Sequence, residues 1–340
     1  MKFDWTAISA AVGDSATFTL LNMFGERHAA RATTREVLAE YLAAHHGWDR
    51  ERFFTGTGPM NPDTFDERRA IWRSRSPSGY GRNDTARADI YLCKQGWKAP
   101  TVLMLHAFMS ASDVGYRIWA AKFNAAGWNA CFVHLPYHYS RRPPGFWNGE
   151  LAITCDVIRT GEGLRQAVVD LRDLMAMLRE RGTTNFGLWG SSYGGWIGGL
   201  LLSVEKDFRF AMLMEPIVDV DHAIWESIAG WTLRRHLKRR GLTREHYAAC
   251  LEWLSPQHGR PLCEKSPIYV LAGTHDRIAR PQELRKFADA WGAKYAEHPQ
   301  GHIGYSLMPA SFAMLEKDGL LDRSECGASL LISTQPEESF

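Results

Sequence analysis

Residues 186–196 read FGLWGSSYGGW. Two adjacent serines stand among glycines, and the spacing decides between them. Gly190-Ser191-Ser192-Tyr193-Gly194 fits a G-x-S-x-G frame only with Ser192 at its centre. A frame on Ser191 would need glycine where Trp189 and Tyr193 stand. The pattern describes a sharp strand-to-helix turn that exposes the central hydroxyl at its tip. Glycines two residues to either side let backbone segments approach with no Cβ between them. Five common residues are a weak signal alone, so the frame gains meaning only if an apolar strand precedes it and a helix follows.

Both flanks meet that condition. NFGLWG (185–190) is a short apolar strand, and YGGWIGGLLLSVE (193–205) is a helix. Gly194, Gly195, Gly198 and Gly199 allow this helix to pack close on a sheet, and its N-terminus turns partial positive charge toward Ser192. The alternation extends both ways. Upstream, ADIYLC (88–93) and PTVLMLH (100–106) read as strands, the second continuously apolar, as a strand buried on both faces should be. GYRIWAAKFNAAGW (115–128) reads as a helix, NACFVHLP (129–136) as a strand, and EGLRQAVVDLRDLMAMLRERG (162–182) as an amphipathic helix. Downstream come the strands FRFAMLM (208–214), PIYVLAG (267–273) and KYAEH (294–298), with helices at 280–292 and 306–320. Strands and helices in turn predict a mostly parallel, doubly wound α/β sheet covered on both faces. Residues 1–50 read as helical, with Thr33 or Thr34 capping TTREVLAEYLAAHHG. Residues 51–88, rich in Gly, Pro and Arg, read as irregular wrapping rather than core.

A serine hydroxyl is a poor nucleophile at neutral pH. It needs a base to take its proton and a carboxylate to orient that base. EHPQGHIGY (297–305) offers His298 and His302 after the last strand. Gly301 and Gly304 give His302 a flexible loop, so His302 is the favoured base. YVLAGTHDRIARP (269–281) places Asp276 just past a strand, where a doubly wound sheet presents functional groups. His275 is a lesser competitor for the base role. Glu215, Asp219 and Asp221, after the preceding strand, are the alternative acids. Two backbone N–H groups must also hold the developing oxyanion. Tyr193, next to the nucleophile, supplies one. The loop VLMLHAFMSASD (102–113) supplies the other, from Phe108 with Met109 in reserve.

The 340 residues carry a net charge of only +2 and 45% hydrophobic residues, so a large core is available and no basic tail points to nucleic acid. The densest basic run, residues 234–240, reads as the solvated end of a helix rather than a phosphate- or CoA-binding patch. The six cysteines form no C-x-x-C pair, which argues against both a zinc site and a disulfide framework. Neither a secretory signal nor a stretch of transmembrane length is read, and a cytoplasmic protein with no membrane partner is expected. No metal and no cofactor is called for.

Taken together, LHAF, GSSYGG, GTHDRI and GHIGY occur in the right order, and over about residues 89–320 the chain resembles the α/β-hydrolase superfamily, its serine esterase-like and poorly characterised bacterial members in particular. Ala107 replaces the glycine usual in the His-Gly-x segment of such proteins. The resemblance implies the α/β-hydrolase fold, with Ser192 as nucleophile, His302 as base, Asp276 as its orienter, and Phe108 and Tyr193 as oxyanion donors.

On this reading residues 1–88 are an N-terminal helical and irregular extension. Residues 89–216 and 266–325 form the hydrolase core, 217–265 a helical cap insertion and 326–340 a tail. The extension covers a sheet edge or forms a homo-oligomer contact. Aromatic residues of the cap and of PYHYSRRPPGFWNGE (136–150) suit an apolar acyl or aryl group, with Met109, Tyr137, Trp147 and Trp225 as pocket-lining residues. For Arg141 and Arg142 both a solvated loop and contact with an anionic substrate are open. The expected activity is cleavage of a small-molecule carboxylic ester through an acyl-enzyme. A thioesterase or peptidase would use the same machinery, and a non-catalytic binding protein, lyase or haloperoxidase could share the scaffold.

Overall fold

Strand pairing sets the architecture of the computed structural model, which describes residues 5–263 and 266–321; the expected tail at 326–340 lies outside them. Nine strands form one sheet in the order β1-β2-β3-β5-β4-β6-β7-β8-β9. They are β1 (Pro62–Phe65), β2 (Arg69–Arg73), β3 (Thr85–Tyr91), β4 (Thr101–Leu105), β5 (Asn129–His134), β6 (Phe186–Ser191), β7 (Phe208–Met214), β8 (Ile268–Gly273) and β9 (Lys294–His298). The first three pair antiparallel, as does β3 with β5; every pair from β5 through β9 is parallel. This is the mostly parallel α/β sheet that the alternation predicts.

All five residues of β4 are buried, and they alternate between two apolar layers. Leu103 and Leu105 face the layer that holds α5 (Val157–Glu180), α6 (Tyr193–Leu202) and α10 (Pro281–Trp291). Val102 and Met104 face α4 (Val114–Ala125) and α11 (Leu307–Lys317). Local chemistry fixes the boundaries. Helix α5 starts five residues before the predicted start at Glu162, because the Asp156 carboxylate accepts from the Arg159 N–H as an N-cap. Thr34, not Thr33, caps α2 (Arg35–Ala44); the Thr33 hydroxyl instead accepts from the Val157 N–H at 3.0 Å.

Residues 51–88 are not irregular wrapping. Strands β1 and β2 extend the sheet, and Phe53, Phe54, Ala70, Trp72, Ala86 and Ala88 are fully buried. The segment R-A-I-W-R of β2 alternates, with Ala70 and Trp72 turned inward between exposed arginines. In the insertion after β7, α7 (Val220–Trp225) packs on α8 (Trp231–Arg239) and α9 (Arg244–Leu254), and these two lie against the N-terminal helices: α1 (Trp5–Arg27) on α8, and α2 with α3 (Arg50–Phe53) on α9. The basic run of α8 pins these layers together. Arg235 and His236 pair with Glu26, and Arg240 donates to the Ala30 carbonyl. No helix among the described residues is long and apolar enough to cross a membrane.

The closest packing surrounds the β6–α6 turn. A Cβ on Gly194 would lie 2.3 Å from the Leu105 carbonyl oxygen and 2.8 Å from that of His106, both backbone atoms of the β4 end. Nothing there can rotate away. Gly194→Ala is therefore expected to destabilise the protein by at least about 2 kcal/mol. Gly115→Ala, which meets open space within α4, is expected to change stability by less than about 1 kcal/mol. Urea unfolding midpoints check the pair.

Candidate active site

Parallel strands place their C-terminal ends along one edge of the sheet, and the chemistry gathers there. Phe108 follows β4, Ser192 follows β6, Glu215 follows β7, Asp276 follows β8 and His302 follows β9; the last four of these strands are consecutive neighbours. Ser192 sits at φ 50°, ψ −110°, a conformation L-residues rarely adopt, and it is 8% exposed. Its N–H donates to the Met214 carbonyl at 2.8 Å, so β7 holds the bend in place. Ser191, one residue earlier, still belongs to β6.

The serine, histidine and aspartate come together. Ser192 Oγ lies 2.8 Å from His302 Nε2, and His302 Nδ1 lies 2.8 Å from Asp276 Oδ2. The other Asp276 oxygen accepts from the N–H groups of Ile278 and Ala279, each at 2.8 Å, which locks the carboxylate plane. With Nδ1–H donating to Asp276, Nε2 is free to accept the serine proton. Burial pushes the His302 imidazole down, but the Asp276 carboxylate, helped by Glu215 and Asp14, more than reverses this and holds it above its ordinary range.

Of the alternative acids, Glu215 alone lies near. Its Oε2 is 3.9 Å from His302 Nδ1, beyond hydrogen-bond reach, and its other oxygen accepts from the Gln300 side chain. Burial holds Glu215 well above the usual carboxylate range. Asp219 caps α7 and Asp221 pairs with Arg244. Glu215, Asp276 and His302 offer oxygen and nitrogen atoms within 4.8 Å of one another, as metal ligands can. The Nδ1–Asp276 bond and the Gln300 contact already engage these atoms, which suits a proton relay better than a cage.

The loop after β4 is shaped by a residue that the sequence reading did not single out. His138 Nδ1 donates to the Pro136 carbonyl at 2.8 Å, and its Nε2 accepts the Met109 N–H at 3.1 Å. Burial drives this imidazole down to about 4, so it stays neutral in that tautomer. Met109, at φ 55°, is thus bent and its N–H occupied, which removes it as a reserve oxyanion donor. The N–H groups of Phe108 and Tyr193 have no acceptor among the described residues. Ala107 has no positive φ, so this position does not require glycine; the bend falls at Met109 instead. The rings of Phe108, His138 and Tyr193 cluster with centroids 5.6–6.2 Å apart.

The expected pocket-lining residues do not form one wall. Tyr137 is 1% exposed and packs over Gly163, inside the core rather than on a substrate surface. Trp147 is 60% exposed on the loop capped by Glu150, and Trp225 is buried in α7. Arg141 is not on a solvated loop: it is 1% exposed, with Nη2 2.8 Å from Asp170 Oδ2.

Three comparisons with known proteins agree with this architecture. The model of the prolyl oligopeptidase family matches residues 165–299. An uncharacterised protein of Mycobacterium tuberculosis is 29% identical over 214 residues, 61% of this chain and 50% of its own, so the chain spans about half the length of the curated relatives it matches. Among solved structures, acetyl xylan esterase 1 of Thermoanaerobacterium sp. JW/SL YS485 is similar over 90% of this chain and 98% of its own, with a TM-score of 0.58 at 14% identity. A puromycin-hydrolysing peptidase of Mycobacterium tuberculosis is similar over 77% of this chain and 40% of its own, with a TM-score of 0.55 at 17% identity. Sheet order, the bend after β6 and these similarities lead to one conclusion: the chain has the α/β-hydrolase fold.

Proposed function

We propose that the protein is a serine hydrolase that cleaves a carboxylic ester through an acyl-enzyme. The observation that carries this reading is the unbroken relay from Ser192 Oγ to His302 Nε2 and from Nδ1 to Asp276, with 2.8 Å at each step. Ser192 Oγ attacks the carbonyl carbon as its proton passes to Nε2. The oxyanion meets the N–H groups of Phe108 and Tyr193 at the start of α6. Collapse expels the alcohol, which takes the proton from Nε2. Water then gives a proton to Nε2, attacks the acyl carbon, and releases the acid as Ser192 regains its hydrogen.

The prolyl oligopeptidase match favours a second reading, hydrolysis of an amide. The likeness to the acetyl xylan esterase, over 90% of this chain, supports the ester. The narrow exposure of Ser192 and the Phe108–His138–Tyr193 rings support a short acyl or an aryl group.

A panel of 4-nitrophenyl acetate, the matching anilide and the matching acyl-CoA tests this. The ester is expected to turn over at least about tenfold faster than the others. Because only the neutral imidazole is a base and His302 is held high, kcat/KM for the ester should rise with pH through a midpoint above about 6.5. Faster anilide cleavage would favour the peptidase reading, and a midpoint well below 6 would contradict the charge assignment.

A further inference from the structure

Helix α1 carries an aspartate where a helix gains nothing from one. Asp14 lies within Trp5–Arg27 and is 0% exposed. A carboxylate buried in mid-helix is costly unless something specific holds it. Two backbone N–H groups do. Asp14 Oδ1 accepts from the His302 N–H at 2.8 Å, and Oδ2 accepts from the Arg277 N–H at 3.2 Å. These amides belong to the two loops that carry the base and the acid: His302 itself, and the residue after Asp276. A Cβ on the neighbouring Gly13 would sit 3.6 Å from Ile303 Cβ, so the helix lies directly against the histidine loop.

The same helix is anchored at its other end by the cap. The Thr232 N–H donates to Asn22 Oδ1 at 3.0 Å, and Glu26 pairs with Arg235 and His236 of α8. From Glu26 to Asp14 the helix runs about 18 Å. It thereby links the cap to the triad loops as one rigid strut.

We propose, on the hydrolase reading above, that Asp14 is a positioning residue of the reaction: the N-terminal helix supplies a carboxylate that staples the Asp276 and His302 loops together and adds negative charge beside the imidazole. Residues that surround His302 agree with this. Asp276 bonds Nδ1, Ser192 meets Nε2, Glu215 lies beyond Nδ1 on the β7 side and Asp14 lies on the backbone side. Burial and the Asp276 charge raise Asp14, while the two amides and His302 pull it back. The proposal gives residues 1–88 a functional part beyond covering a sheet edge.

The full chain and its Asp14→Asn variant test it. Asparagine has nearly the same shape, but it has no net charge and can accept only through one oxygen. The second loop amide then faces an NH2 group. We expect kcat to fall about tenfold to a hundredfold with KM within about twofold, since misplacing the base harms the chemical step rather than binding. The acid limb of kcat/KM should move down by about half a unit to one unit, because a negative charge near the imidazole is lost. A purely structural helix would leave that limb in place. Parental kcat and an unmoved limb in the variant would overturn the proposal. A parent chain that neither turns over ester nor labels with a fluorophosphonate would instead sink the hydrolase reading itself. Should the variant not fold, amide exchange in the parent decides. The His302 and Arg277 N–H groups should exchange at least about a hundredfold slower than unprotected loop amides, and rapid exchange at both would overturn the staple.

Discussion

Ser192→Ala is expected to lower kcat for 4-nitrophenyl acetate by about 100,000-fold or more while leaving the fold intact. The expectation rests on covalent chemistry. Alanine removes the atom that attacks, and among the described residues no second hydroxyl bonds the base: Ser191 belongs to β6, one residue before the bend. Methyl for hydroxymethyl changes little else, because the strained backbone at φ 50° is fixed by the Ser192 N–H to Met214 bond, which alanine keeps. Ser191→Ala is the control and should cost less than about tenfold. Steady-state kinetics with circular dichroism on both variants checks the pair. Comparable losses at the two positions would mean that the bend, not the Ser192 hydroxyl, had been damaged.

Asp276→Asn should cost about 10,000-fold in kcat, and the structure says why the amide cannot compensate. Two N–H groups, from Ile278 and Ala279, point at Asp276 Oδ1. An asparagine satisfies them only by placing its oxygen there, which turns its NH2 toward His302 Nδ1. The imidazole must then accept at Nδ1 and carry its proton on Nε2, where it cannot take a proton from Ser192. Glu215→Gln should cost less than about tenfold, because its oxygen stands 3.9 Å from Nδ1, beyond hydrogen-bond reach. The ratio of the two effects assigns the acid. A larger loss at Glu215 would move that role one strand over, from the end of β8 to the end of β7.

Much of this arrangement is legible in the sequence because its signals are local. The glycine frame around Ser192 points to the sharp turn, since a Cβ at position 194 would strike the β4 backbone. The continuous apolar runs mark β4, β6, β7 and β8 as central strands, and the loops after β8 and β9 hold few chemically able side chains. The antiparallel edge is less visible. Strands β1 and β2 are four and five residues long, and the arginines of β2 mask its inward pair Ala70 and Trp72. The alternation of residues 69–73 was the available signal, weakened by the surrounding Gly and Pro.

Asp14 has no signature at all in the sequence. Its partners are backbone amides, which every residue has, and they lie 263 and 288 positions away. The same holds for His138, whose neutral ring props the Met109 bend through one main-chain contact. Pocket residues are hard to read for a related reason: aromatic character does not say which way a ring turns, and Tyr137 turns into the core.

The most direct test of the central claim is mass spectrometry after reaction of the intact protein with a fluorophosphonate. Such a reagent is captured by a serine that can give its proton to a base. The account predicts one adduct per chain, formed faster as the pH rises, on the peptide spanning the β6–α6 turn and with fragment ions that place it on Ser192. An unmodified chain, or an adduct on Ser191 or elsewhere, would contradict it.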